Sequence, residues 1–355
     1  MSIQRFSNKA GAAHYSMLLS IRFGLAILAA QSVVGADQPG KPTLDNFLKQ
    51  SRYAAIEFKL SERNKPLVKG DLDGGKKLTF MVDTGSTMTR LNNGSTSGLK
   101  TLGELGVELD DSLLGRVSDP SIVLMKHLTL GNAQFLNQPA LVEDITLDYR
   151  TIPYQGIIGA DFFFRNFCIF DFYSRRLYVR GGARTLEESK AVEQTFRSSN
   201  LIDVPVRSSS HYKGWLLIEA KVNGKPVPFL VDSGSNISLV DKSQTDRLAL
   251  EFIRENRPST GSLIPESVGG LFVGAGKIGA RKIRVVRFQT FEIGSGTWQK
   301  VNFAVGDLTD FGLTKERVHG EVVQGILGID QLTAHGMLID YSNRKLWMRP
   351  EGWKH

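Results

Sequence analysis

The feature that most constrains this chain is that it repeats itself. "FMVDTGSTMTRL" (80–91) returns as "FLVDSGSNISLV" (229–240), and "QGIIGADFF" (155–163) as "QGILGIDQL" (324–332). "DFYSRRLYVR" (171–180) returns as "DYSNRKLWMR" (340–349), and Gly75 and Gly224 each stand eight residues before an Asp. Blocks repeated in one order mark a duplicated domain. The halves are 37–190 and 191–355, joined across the polar "EESKAVEQTFRSSN" region. Asp83 to Asp161 spans 78 residues and Asp232 to Asp330 spans 98, so the second half carries about 20 more, assigned to the Gly/Pro/Ser-rich stretch 255–270.

Each half reads as mostly strand. "GWLLIEAKVNGKPVPFLVD" is two apolar runs around Asn-Gly, the strongest short hairpin signal. "YAAIEFKL", "KIRVVRFQTFEIG", "VNFAVGDL" and "KLWMR" are further short β-rich runs, and one helix is expected after each Gly-Ile-Ile/Leu-Gly block, at "ADFFFRN" and "IDQLTAH". The 36 glycines, spread along the chain, suit many turns between short strands. The expected fold is mainly β, in two homologous halves that would pack about a pseudo-twofold axis.

Charge excludes little but points away from nucleic acid. The net charge is +8, yet Arg5, Lys9 and Arg22 fall in the first 36 residues, and no basic block interleaved with aromatics follows. The leading basic residues, the run "FGLAILAAQSVVGA" and the small residues Val34-Gly35-Ala36 predict a secretory signal peptide over 1–36, cleaved near Ala36. That run is too short to span a bilayer comfortably, so no stable membrane insertion is expected after cleavage, and the product is expected to be periplasmic or secreted. Cys168, the one cysteine, has no partner for a disulfide and reads as a small buried hydrophobe. The six histidines lack ligand spacing, and HExxH, CxxC and P-loop patterns are absent, so neither metal nor cofactor is expected. About 18 residues separate Ala36 from the first strand-like run, which leaves no obvious propeptide.

A single Asp in a glycine turn is ordinarily structural. In related halves packed about a twofold, however, a residue near the axis meets its own copy, and Asp83 and Asp232 are the residues to do so. With Asp-Thr-Gly-Ser at 83–86, Asp-Ser-Gly-Ser at 232–235, and Ile157-Ile158-Gly159 and Ile326-Leu327-Gly328 later in each half, the chain resembles the aspartic peptidases. "ILGIDQLTAHGMLIDYSNRKLWM" and halves of about 150 residues bring it nearest to bacterial retropepsin-like domains, here fused in one chain. The resemblance implies two homologous β-barrel-like lobes related by a pseudo-twofold axis, with an active site in the cleft between them and each later block passing behind a catalytic turn. It implies an exported endopeptidase acting on peptide or protein substrates through Asp83 and Asp232, as a monomeric pseudodimer. Two other arrangements stay open: a noncatalytic peptide-binding protein on the same fold, and halves that pair with their copies in a second chain.

Gly85 and Gly234 are expected to let the chain turn sharply under the pair, where a Cβ would obstruct it, and Thr84 and Ser233, by the resemblance, to cross-link the two loops. Ser86 and Ser235 are expected to donate to the outer carboxylate oxygens, which would favour ionisation and an acidic optimum. The family covers substrate with a β-hairpin flap; here "VGAGKIGARKI" (273–283) is the candidate, with Gly274, Gly276, Lys277 and Ile278 at its tip. The equivalent "LLGRVSDPSI" (113–122) has fewer glycines, and no Tyr stands where a pepsin flap carries one. Asp161, Asp171, Asp330 and Asp340 recur by symmetry and read as structural.

Overall fold

The phenylalanines that end the two motif strands show how sequence becomes architecture. Lys76–Val82 alternates like an ordinary strand at its start and Lys225–Val231 begins with two exposed residues, but Phe80, Met81 and Val82, and likewise Phe229, Leu230 and Val231, are fully buried. Successive side chains of a strand face opposite ways. Phe80 and Val82 enter the main core, whereas Met81 turns to a small cluster with Tyr154 and Ile157. Phe229 and Val231 enter the same main core, and Leu230 turns to a second cluster with Trp215 and Ile326. Strands covered on both faces need such unbroken apolar runs.

The computed structural model describes residues 44–104, 109–111, 115–117, 121–143, 154–210, 212, 214–255, 271–273, 276–278, 284–309, 313 and 317–350. The leader 1–36 lies outside these. Among the described residues no helix is long and apolar enough to cross a membrane.

In the first half, strands Pro66–Leu72, Lys76–Val82, Gly156–Ile158, Arg90–Asn92, Ala133–Glu143 and Ser121–Leu130 pair in that order. Ser121–Leu130 then pairs back onto Pro66–Leu72, through Gly70↔Leu130 and Leu72↔Leu128, and closes a six-stranded barrel. The second half repeats this with Leu216–Val222, Lys225–Val231, Gly325–Leu327, Leu239–Asp241, Gly296–Gly306 and Arg284–Ile293, closed by Ala220↔Ile293. Asn223 and Gly224 join the first two of these strands with φ of 49° and 77°, the conformation a tight two-residue hairpin needs. The helices Ala160–Arg165 and Ile329–Ala334 follow the Gly-Ile-Ile-Gly and Gly-Ile-Leu-Gly blocks.

A six-stranded sheet joins the halves, in the order Ala54–Glu57, Arg176–Val179, Ile169–Asp171, Leu338–Asp340, Lys345–Met348, Ile202–Val204. Its central pairing is antiparallel, Ile169↔Asp340, Phe170↔Ile339 and Asp171↔Leu338. Phe170 and Ile339 occupy matching places in the two repeats, so the pseudo-twofold passes beside this pair. Arg349 braces the junction with two hydrogen bonds of 2.9 Å to the Asp171 carboxylate, both side chains buried. The stretch that reads as a polar connector contains a helix, Leu186–Ser198. A capping box between Thr185 and Glu188 starts it, and Val192 and Phe196 anchor it.

Candidate active site

Both Asp turns hang from the ends of motif strands and are fastened from behind. Gly156–Ile158 runs parallel to Lys76–Val82 and antiparallel to Arg90–Asn92, which places the Ile158 carbonyl 3.0 Å from the Asp83 amide that donates to it. Gly325–Leu327 does the same in the second half, and the Asp232 amide donates to Leu327 O at 3.0 Å. Returning bonds run from Ala160 N to Ser86 O and from Ile329 N to Ser235 O, each 2.9 Å. Within the turns, Gly85 N donates to Asp83 Oδ1 and Gly234 N to Asp232 Oδ1, each at 2.8 Å. These contacts fix both carboxyl groups before any ligand arrives.

The next residue of each turn reaches into the other lobe. Thr84 Oγ1 donates to Val231 O at 3.0 Å and accepts from Ser233 N at 2.8 Å. Ser233 Oγ donates to Val82 O at 2.9 Å and accepts from Thr84 N at 3.0 Å. All four bonds are buried and cross the pseudo-twofold. The glycines then bring the turns together. A Cβ on Gly85 would sit 2.5 Å from Asp232 Oδ1, and one on Gly234 would strike the Asp83 carboxyl in the same way. Neither glycine has a left-handed φ, so close approach rather than turn geometry requires them.

The pair is therefore two carboxyls in hydrogen-bond contact and buried in protein, Asp83 1% and Asp232 0% exposed. Burial first, and then the adjoining Asp83 charge, push Asp232 well above the ordinary carboxyl range. Asp232 Oδ2 is buried and takes no hydrogen bond from a donor among the described residues. Tyr341 lies fully buried below, its phenol pushed well above its usual range by burial and then by the Asp83 charge.

Two reciprocal contacts went unread in the sequence. Lys65, 1% exposed, donates from Nζ to the Gly234 carbonyl, and Trp215, 0% exposed, donates from Nε1 to the Gly85 carbonyl at 2.6 Å. Each stands just before the first barrel strand of its own lobe and reaches the turn of the other. The available signal was position: Lys65 lies 18 residues before Asp83, and Trp215 lies 17 before Asp232.

The serines differ from expectation. Ser86 Oγ donates to Met88 O at 2.9 Å and Ser235 Oγ to Ile237 O at 2.7 Å, each closing its own loop two residues on. A hydroxyl has one proton, so neither supports an outer carboxylate oxygen; the Ser235 amide, not its hydroxyl, joins Gly234 N on Asp232 Oδ1, at 3.2 Å. The structural argument for an acidic optimum goes with them. Asp161 Oδ1 accepts from Thr89 N and Oγ1, and Asp330 Oδ1 accepts from Ser238 Oγ, so both lock the loops from behind. Asp171 and Asp340 accept from the turns that follow them, at Ser174 and at Ser342 and Asn343. Cys168 is fully buried.

In the flap candidate, Gly276–Ile278, which includes Lys277, pairs with Leu271–Val273 as a hairpin, Val273↔Gly276. Gly274 lies outside the described residues. The first half has a counterpart hairpin, Leu109–Asp111 with Gly115–Val117. Among the described residues no group of three or more His, Cys, Asp or Glu is placed to hold a metal ion.

No curated protein matches the chain. Among solved structures, the crystal structure of an aspartic proteinase from Irpex lacteus superposes with a TM-score of 0.50 at 13% identity, over 84% of this chain and 98% of that one. That likeness is one of fold. A family model described as aspartyl protease matches residues 68–162 and 218–331, one stretch in each lobe and together more than half of the sequence. The chain belongs to the aspartyl protease family.

Proposed function

We propose that this chain is an exported aspartic endopeptidase whose catalytic residues are Asp83 and Asp232. The observation that carries the reading is the buried contact between the two carboxyls, with Asp232 held toward its protonated form. Two carboxyls in contact cannot both ionise cheaply, so the pair holds one proton over a broad pH range and titrates as a unit. The ionised member takes a proton from a water molecule, whose oxygen adds to the scissile carbonyl carbon. The protonated member donates to the carbonyl oxygen, giving a neutral tetrahedral diol. Transfer of a proton to the amide nitrogen and cleavage of the C–N bond then release an amine and a carboxylic acid, and the pair again holds one proton.

Thr84, Gly85, Ser233 and Gly234 support the pair by holding the turns together, and the Gly276–Ile278 hairpin is the proposed cover for substrate. Export follows from the leader; N-terminal sequencing of the mature protein beginning near Asp37 is the expected result. The activity test is digestion of an unstructured protein across pH 3–8, with and without pepstatin. Asp83→Asn and Asp232→Asn should each lower the rate roughly 10²–10⁴-fold, because general acid–base catalysis needs both members. Activity retained in either variant overturns the shared site. Peptide binding without cleavage at any pH would favour the noncatalytic alternative.

A further inference from the structure

The two lobes fasten each other's turn through equivalent positions filled by unlike residues. Barrel register makes the equivalence explicit. Leu67 pairs with Met81, which sets Lys65 level with Asp83; Leu217 pairs with Leu230, which sets Trp215 level with Asp232. Each side chain then crosses the pseudo-twofold to the carbonyl of the opposite turn's glycine. One contact is made by a neutral indole and the other by an amine that is a cation when protonated. The asymmetry is local to the dyad.

Lys65 is held there by its own turn. Ser61 N donates to Lys65 O at 2.9 Å, Asn64 N donates to Ser61 O at 2.9 Å, and Lys65 N donates to Ser61 Oγ at 3.0 Å. Asn64 takes φ 57° to make the bend, and Pro66 follows at once. Burying a lysine amine costs free energy unless something compensates. The Asp pair lies within electrostatic reach of that amine, and the two charges act on each other.

We propose that Lys65 is a positioning residue of the dyad: anchored on the Gly234 carbonyl, its ammonium fixes the pH range in which Asp83 and Asp232 together carry one negative charge. This rests on the proposed function for its catalytic meaning, although not for its electrostatics. A fixed positive charge favours the ionised states, so it lowers both steps of the pair's titration. It thus offsets part of the burial that raises Asp232, and the charge of Lys65 does act in that direction. The other titratable groups that face the site among the described residues are Tyr341, below Thr84, and Cys168 beside it. Asp161 and Asp330 stand behind the loops, hydrogen-bonded to Thr89 and Ser238.

The test is titration of the pair by ¹³Cγ aspartate NMR, assigned through Asp83→Asn and Asp232→Asn, in wild type, Lys65→Met, Lys65→Arg and Trp215→Phe. At an effective dielectric constant near 20, loss of the Lys65 charge beside the pair should raise both of its apparent pKa values by roughly one unit or more in Lys65→Met. Lys65→Arg should keep them near wild type. Trp215→Phe, which removes the equivalent hydrogen bond without a charge, should leave them unmoved. Lys65→Met titrating like wild type, or Lys65→Arg moving as far as Lys65→Met, overturns the proposal. Should both Lys65 variants fail to fold, wild type still decides: the Lys65 ¹⁵Nζ resonance must change as the pair titrates, and a flat response overturns the proposal. Because none of these readouts needs turnover, an inactive protein would refute the proposed function and leave this result standing. If the protein is active, both limbs of its pH–rate profile should move upward in Lys65→Met by the same amount.

Discussion

The cross-lobe hydroxyls make a sharp prediction about stability. Thr84→Val keeps the shape of the side chain and removes only Oγ1. That atom donates to Val231 O and accepts from Ser233 N, at 3.0 and 2.8 Å, and the site is fully buried. Two buried backbone groups would lose their partner, each at a cost of about 1–3 kcal/mol. No cavity is opened, because a methyl group takes the place of the hydroxyl. The expected loss is therefore about 2–6 kcal/mol, a large share of the roughly 5–15 kcal/mol that holds a typical protein folded. Thr84→Ser is the matched control: it retains both bonds and loses a methyl group, worth about 1 kcal/mol. Urea unfolding followed by tryptophan fluorescence and far-UV circular dichroism would measure both, with coincidence of the two signals as the check on a single transition. Combining Thr84→Val with Ser233→Ala should give a coupling of about 0.5–3 kcal/mol, since the two side chains brace one junction. Thr84→Val no less stable than Thr84→Ser would refute the argument that these hydroxyls tie the lobes together.

Two further predictions concern pH and have opposite signs. Asp232, raised above its unfolded value by burial and then by Asp83, contributes stability that is fully present below the unfolded pKa near 4 and is lost as pH rises toward the folded value. Asp232→Asn abolishes that titration, so the variant should gain on wild type in thermal melts between pH 4 and 8; a gap that does not change with pH would contradict the assignment. His335 behaves the other way: half-buried against Trp298, ring centroids 4.1 Å apart, it is lowered by burial to about 4 from an ordinary 6.5. It therefore contributes stability at neutral pH that falls as pH drops from about 6.5 through about 4, by up to about 3 kcal/mol. His335→Gln should flatten that part of the acid-side loss, and equal acid sensitivity in the variant and wild type would rule it out.

How much of this was legible depends on how far apart the cooperating residues lie. The motif strands, the Asn223-Gly224 hairpin and the helices after Gly159 and Gly328 are written in short windows, because period, turn chemistry and termination are local. The Asp pair was legible only through duplication: one turn implies nothing, but two copies about an axis imply contact. The Leu186–Ser198 helix had its signal in Thr185 and Glu188, a capping box hidden by a polar composition that also suits a linker. Ser86 and Ser235 were misread because a hydroxyl beside a carboxylate has a nearer acceptor in its own loop, at Met88 O and Ile237 O. Lys65 and Trp215 left only a positional signal, 18 and 17 residues before Asp83 and Asp232. Their partners are 169 and 130 residues away, and only the register of both barrels brings them to the axis.

That last pair shows what fusion of the halves allows. When a twofold site is built from identical chains, every residue near the axis appears twice, so one side cannot carry a charge that the other lacks. A second lysine in place of Trp215 would set two buried amines beside a pair that carries one negative charge, adding the desolvation cost of a second buried cation. A second tryptophan in place of Lys65 would leave burial to raise the pair with no positive charge to offset it. Once the halves share a chain, position 65 and position 215 can differ. The hydrogen bond that fastens each turn is kept on both sides, by Nζ on one and by Nε1 on the other. The charge enters once. The symmetric contacts of Thr84 and Ser233 hold the two carboxyls together, and the asymmetric contact of Lys65 bears on how many protons they hold.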